Sequence, residues 1–324
     1  MEKIKRIYTK NSSIVFAYII AAVMFIFVSV FRPEFATFGH VKVMLIDAAI
    51  LGTLAIGQTF VILIGGIDLS IQWNMCTSGI MFVMLYKAWG LTGWQFMWLI
   101  LLCLAVTTAV GFLNGLGVAY LNMHPMIMTY GMNTIIQGVV VAVTSKGFPG
   151  GFAPDEYYDF CVGTTLNIPN LVLVWLVIIA IISILLARTP FGRKIYAVGN
   201  SETVAYFSGV KVKRIKMLAY AISGFAGGLG GLLFTGRIGQ AYLGMGDPYL
   251  FQSVAVVAIG GTSMVGGSGN YIGTVGGTLI LIILNSLLSA FLIPASWQKV
   301  IYGILLLGAV MLTYSRNIKQ GRKA

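Results

Sequence analysis

Charge is scarce in this chain. Only 9% of its 324 residues are Asp, Glu, Lys or Arg, where a soluble globular domain carries roughly 25%. That scarcity excludes a soluble globular fold. Cysteine is scarce too: Cys76, Cys103 and Cys161 have spacings that suit neither a disulfide framework nor a metal motif. The two histidines, His40 and His124, stand far apart near expected helix ends and read as interfacial polar residues. No metal site is expected. The chain has no G-x-x-x-x-G-K-[ST], no H-E-x-x-H and no G-x-S-x-G. ATP binding through a phosphate loop therefore has no support, and no catalytic residue is assigned.

What is abundant is apolar. Hydrophobic residues reach 58% and the mean hydropathy is +0.91. Runs near 20 residues recur along the chain, each long enough to cross about 30 Å of hydrocarbon. The expected fold is all-α and polytopic, with about ten transmembrane helices near 14–31, 44–64, 73–88, 95–120, 125–144, 168–187, 217–235, 250–262, 271–291 and 297–314. The first run is long for a signal segment and no small-residue cleavage motif follows, so it reads as a retained helix.

The net charge of +12 is distributed as a topology signal rather than a nucleic-acid patch. Fifteen of the 21 basic residues fall in three places: the first ten residues, the last nine, and residues 188–216. The positive-inside rule makes those segments cytoplasmic. Ten crossings put both termini and 188–216 on one side. They put 145–166, with Asp155, Glu156 and Asp159 against Lys146, on the other.

Two stretches interrupt the apolar pattern. In VILIGGIDLSIQW (61–73), Gly65 and Gly66 weaken a helix, and Asp68 brings a charge that membrane helices avoid. A local solution is capping: after the glycines end one helix, Asp68 N-caps the next by accepting from the amide of Ser70 or Ile71. A direct role for Asp68 in substrate passage or gating stays open beside that reading. The second stretch, GGTSMVGGSGN (260–270), follows a run too short for a full crossing. A break inside a bilayer needs protein or a water-filled cavity to satisfy its backbone. Ile64-Gly65-Gly66 echoes Ile259-Gly260-Gly261, and paired Gly-interrupted segments point toward a transport path. The spacings Gly224/Gly228, Gly227/Gly231 and Gly273/Gly277 read as helix packing within the chain, with a subunit interface as the alternative. Polar residues in the spans (Gln58, Asn74, Asn114, Asn133, Gln137 and Asn285) suit interhelical hydrogen bonds or the lining of a low-affinity route.

The loop 188–216 is more than a basic tether. Ser201 can cap a short helix with Glu202 in its first turn, and Phe207-Ser208-Gly209 can end it. Such a helix between basic flanks suits docking of another protein; a loop anchored to lipid head groups is the other reading.

GIDLS (66–70), TPFGRKIYAVGNSETVAYFSGVKV (189–212) and AVVAIGGTSMVGG (255–267) together resemble the ribose-type permease subunits of bacterial ABC sugar importers, over roughly 45–310. The resemblance implies a single transmembrane permease domain over 1–324 in the bacterial inner membrane, with cytoplasmic tails at about 1–13 and 315–324. It implies a second permease subunit, a periplasmic solute-binding protein, and a cytoplasmic ATPase that uses ATP and Mg, so this chain needs no cofactor. It implies that Gly199, Asn200, Ser201, Glu202, Ala205, Ser208 and Gly209 form a coupling helix on the ATPase. The pathway or gate candidates are Gly65, Gly66, Asp68, Ser70, Gln72, Asn74, Gln252, Gly260 and Gly261. Two departures stand out: Gln72 where the family usually has glycine, and Leu250-Phe251-Gln252-Ser253 where it usually has E-L-D-A. Both imply a ligand other than ribose, or a heterodimer whose other half keeps the acidic positions. A secondary transporter or channel working without ATP is the rival class, and an intramembrane enzyme a weaker one.

Overall fold

A computed structural model describes residues 12–144, 152–294, 296–304, 307, 308 and 311. The terminal basic clusters and Lys146 lie outside the described residues. The helices are α1 (Ser12–Phe31), α2 (Phe38–Leu63), α3 (Ile71–Ala88), α4 (Phe96–Tyr120), α5 (Pro125–Thr144), α6 (Asp155–Val162), α7 (Asn170–Arg188), α8 (Pro190–Asn200), α9 (Glu202–Phe207), α10 (Val212–Ile238), α11 (Tyr249–Ile259) and α12 (Tyr271–Ala290). Helix resumes at 296–304. Two-residue strands, β1 (Thr164–Thr165) and β2 (Ile168–Pro169), pair antiparallel in a small hairpin.

The chain is an all-α polytopic membrane protein. Among the described residues, seven helices have the length and hydropathy to cross a bilayer. The ten expected crossings are not all met on that measure, because the 18-residue α3 is not apolar enough, α11 has only 11 residues and the last helix is described in part.

Helix α2 is mostly apolar and has no single polar face, as suits a core helix, and 89% of its spanning window is buried against 17% for the peripheral α1. Helix α10 lies beside it and packs on α2, α3 and α4. Its glycines permit this. A methyl group on Gly224 would strike the carbonyl of Thr107 on α4, and one on Gly228 the hydroxyl of the same residue. Gly231 abuts the Met75 carbonyl on α3, and Gly227 abuts Asn74 and Ile71. On α12, Gly273 and Gly277 meet the backbone of Gly260 and Val256. All three spaced pairs therefore serve packing within the chain, where close backbone approach replaces the missing hydrophobic drive. A polar thread crosses the bundle as well: Trp175 Nε1 donates to Tyr271 Oη (3.1 Å), which donates to the Gly52 carbonyl (2.9 Å).

The helices alternate in direction, so the bundle has two ends. One carries residues 64–70, 121–124, 189–211 and 260–270; the other carries 32–37, 89–95, 152–169 and 239–248. At the second end, residues expected only as a loop form α6 and the hairpin. Tyr157 of α6 packs edge-on against Phe82 (5.0 Å between centroids) and tilted against Phe96 (5.4 Å). Gly236 of α10 leaves room for Cys161. The main chain of Ala153 also donates to the Gly239 carbonyl (2.8 Å).

Candidate functional site

Helix α2 ends in a Schellman motif. Gly65 takes φ +79, its amide donates to Ile62 (2.9 Å), and the Gly66 amide reaches back to Val61 (2.9 Å). The chain then runs non-helically to Ser70, deep in the protein. Side chains from other helices satisfy it. Gln58 of α2 grips the peptide groups of Asp68: Nε2 donates to the Asp68 carbonyl (2.5 Å) and Oε1 accepts from its amide (3.3 Å). Thr129 of α5 accepts from the Leu69 amide (3.1 Å) and contacts the Ile67 carbonyl (3.3 Å). A break in a membrane helix requires such partners.

Asp68 is fully buried. Its Oδ1 accepts from the Ser70 amide (2.9 Å) and the Ser70 hydroxyl (2.6 Å), while its Oδ2 is buried with no hydrogen-bond partner among the described residues. The Ser70 amide is one of the two expected partners, but the capping position is corrected: Ser70 itself is the N-cap of α3. Asp68 sits two residues earlier and orders the turn that delivers Ser70. The Ser70 hydroxyl in turn accepts from Asn114 of α4 (2.8 Å) and Asn74 of α3 (3.5 Å). A carboxylate, a hydroxyl and two amides from three segments thus form one buried cluster.

Helix α11 ends in the same motif: Gly261 takes φ +85, its amide donates to Ala258 (3.0 Å) and the Thr262 amide to Val257 (3.2 Å). The sequence echo is therefore one residue out of structural register. Gly65 corresponds to Gly261, not to Gly260, whose tight packing against Gly273 serves the helix contact instead.

The two breaks meet. The Gly267 amide donates to the Leu63 carbonyl (2.9 Å), and Gly266 lies against the Gly65 backbone. The segment 190–209 joins them there. Residues 190–200, expected as part of the cytoplasmic loop with no helix assigned before Ser201 on local signals, form helix α8: Thr189 caps it by accepting from the Gly192 amide (3.2 Å), Pro190 opens it, and Ile195 and Val198 face inward. Its end docks on the second break, with Tyr196 Oη donating to the Gly269 carbonyl (2.9 Å) and Asn200 Nδ2 to Gly267 (3.2 Å). The short helix α9 forms at the residues expected for it. Ser201 accepts from the Val204 amide (3.3 Å), and Gly209 at φ +80 closes it. Lys216 of α10 holds Glu202 at 2.5 Å. Val204, Tyr206 and Phe207 point outward, exposed by 65–81%, while Ala205 is buried.

Between α9 and the first break lies a cavity of about 320 Å³, lined by Gly65, Gly66, His124, Glu202, Lys216 and Tyr220 among others. The Tyr220 hydroxyl rests on Gly66 and lines this cavity, of which Asp68 is not a lining residue.

Of the residues expected to act together, Gly65, Gly66, Asp68, Ser70 and Asn74 share one locus with Gly199, Asn200 and Glu202. Gln72 lies apart from it and donates to Asn133 of α5 (3.3 Å), an interhelical bond. Gln252 lies at the other end of the bundle, in a second cavity. Reading the sequence missed Tyr196, Thr129 and Tyr220. Only the Tyr196/Asn200 spacing, one helical turn on α8, carried any local signal.

Residues 41–310 match the family described as branched-chain amino acid transport system / permease component. The chain belongs to this family. It is 33% identical over 296 residues to the ribose import permease protein of Bacillus subtilis (strain 168), covering 91% of both chains. It is 31% identical over 295 residues to the D-allose transport system permease protein of Escherichia coli (strain K12), covering 91% of this chain and 89% of that one. Over 231 residues it is 33% identical to the galactose/methyl galactoside import permease protein of the same strain, covering 69% and 68%. No solved structure matches the chain. The permease is a transport subunit and not an enzyme.

Proposed function

We propose that this permease carries a sugar or sugar-like solute across the bacterial inner membrane as one half of a paired, membrane-spanning ATP-binding-cassette importer. The whole chain acts as one transmembrane domain, with up to ten crossings if α3, the α11 segment and the last helix each traverse. Both termini and the α8–α9 end face the cytoplasm. The observation that carries the reading is the joint between α8–α9 and both helix breaks: Gly199 against Leu63, Asn200 to Gly267, and Gly267 to Leu63. A partner pushing on the outward Val204, Tyr206 and Phe207 moves a rigid unit that bears on two interrupted helices at once.

In this reading residues 199–209 couple to a cytoplasmic ATPase that binds ATP and Mg, and the opposite end receives solute from a periplasmic binding protein. The breaks at 65–66 and 260–261 let helices shift around Asp68, Ser70 and Asn74, with Gln72 and Gln252 further along the path. The sugar class rests on the names of the ribose, allose and galactose relatives.

The test is reconstitution of the permease with its ATPase and binding protein in vesicles. Transport should require ATP, and Glu202→Ala or Gly209→Val should abolish both transport and ATPase stimulation while the membrane subunit still assembles. Stimulation unchanged in both variants overturns the docking assignment. Transport by the permease alone, driven by a proton or sodium gradient, decides for a secondary transporter.

A further inference from the structure

The end of the bundle away from α9 holds the larger cavity, about 410 Å³, within the ~300–1,000 Å³ range of small-molecule clefts. Polar side chains in membrane helices are costly and usually turned to an interior path. Here separate elements turn theirs to one space: Asp47 from α2, Gln252 from α11, and Asn285 and Ser286 from α12. Their capacities fit hydroxyl groups, each of which both donates and accepts. A carboxylate accepts, an amide does both, and a serine does both. His40 lies 2.8 Å from the Ser286 hydroxyl and so orients it. The Asn285 Oδ1 is buried with no hydrogen-bond partner among the described residues, an acceptor in want of a donor.

One wall is aromatic. Phe234 stands edge-on to Tyr242 (6.1 Å between centroids) and to Tyr249 (6.0 Å), and all three line the cavity. Such a wall offers an apolar surface to the carbon–hydrogen face of a ring while the polar groups opposite fix its orientation. Among the described residues the lining holds a single carboxylate, Asp47, beside His40, and no Lys or Arg, so it lacks the charge cluster that would select an ion. The polar floor also suits it poorly to a lipid chain.

We propose that this cavity is a solute subsite within the permease, taking one neutral polyhydroxylated ring of pyranose or furanose size. The inference rests on the sugar-import reading above. It adds that the permease itself contacts the solute, at the end where the solute enters.

The experiment uses the full reconstituted complex and three probes: D-ribose, D-allose and D-galactose. For the sugar that is transported, Asn285→Leu and Gln252→Leu should each lower the solute moved per ATP hydrolysed at least tenfold. A ratio within twofold of the unmodified complex in both variants overturns the subsite and leaves the importer reading standing. Transport of none of the three by the unmodified complex overturns both. A second measurement does not depend on those variants folding. Ser289 lines the cavity and is exposed, while the three native cysteines are buried. In a Ser289→Cys complex, saturating sugar should slow labelling by a membrane-impermeant maleimide at least threefold; an unchanged labelling rate overturns the subsite.

Discussion

Gly199, one residue before the end of α8, lies against the main-chain carbonyl of Leu63, the last residue of α2, with no room for a methyl group between them. The Leu63 carbonyl also accepts from Gly267. One carbonyl in the last turn of α2 therefore ties the first break to the second, with α8 laid over both.

Gly199→Ala forces that contact apart, and overpacking of this kind costs about 1–3 kcal/mol. The expected outcome is a folded permease of lowered melting temperature whose transport falls at least tenfold in the assembled importer. Transport at the unmodified level would show that the joint is not mechanically significant.

The Glu202–Lys216 pair is half open to solvent, with side-chain exposures of 52% and 17%. An exposed pair contributes ~0.2–1 kcal/mol, so breaking it should barely change stability. Its expected effect is on coupling. Glu202→Lys should suppress ATPase stimulation, and the exchange Glu202→Lys with Lys216→Glu should restore much of it. A double-mutant cycle with no coupling energy would separate the pair from the docking role.

Ser201→Ala removes the side-chain cap of a six-residue helix. Loss of such a cap costs ~0.5–2 kcal/mol, a large share for so short an element. Hydrogen exchange at the amides of 204–207 should quicken severalfold, with exchange in α10 unchanged. Equal protection in the variant would mean that packing of Ala205 alone holds α9.

At the first break, Gln58→Leu leaves the Asp68 amide and carbonyl without their partner. Each stranded buried group costs ~1–3 kcal/mol, and a clear drop in melting temperature in detergent is expected. Asp68→Asn keeps an oxygen for Ser70 and should fold, whereas Asp68→Leu should not. Full transport by the Asp68→Asn variant would confine the carboxylate to an architectural role; lost transport with intact folding would place it in solute passage.

Much of the molecule was legible because its signals are local. Spanning helices follow from apolar length, the ends of α2 and α11 from adjacent glycines, and α9 from Ser201 and Gly209 within nine residues. Helix α8 was not legible as a helix, because its fully buried large side chains are only Ile195 and Val198, and they follow Arg193 and Lys194, which also suit a surface loop. Helix α6 was hidden likewise in a short acidic segment whose Tyr157 finds its aromatic partners on α3 and α4. The internal echo misled by one residue, since a glycine pair does not say which member takes positive φ.

By itself, then, the sequence determined that this chain spans a membrane in many helices, that two of them break at glycines, and that its motifs are those of a transport permease. The first two depend on hydropathy, backbone freedom and capping within a few consecutive residues, and the third rests on the resemblance of three short stretches to a known family. Only the tertiary structure decided that the two breaks touch, and that Gln58 and Thr129 serve the backbone around Asp68. It also decided that Gln252 keeps company with Asp47 and Asn285 instead of with the breaks. In lipid, small residues permit close approach without choosing a partner. The partner is chosen where buried polar groups far apart in the chain must find one another or remain unsatisfied.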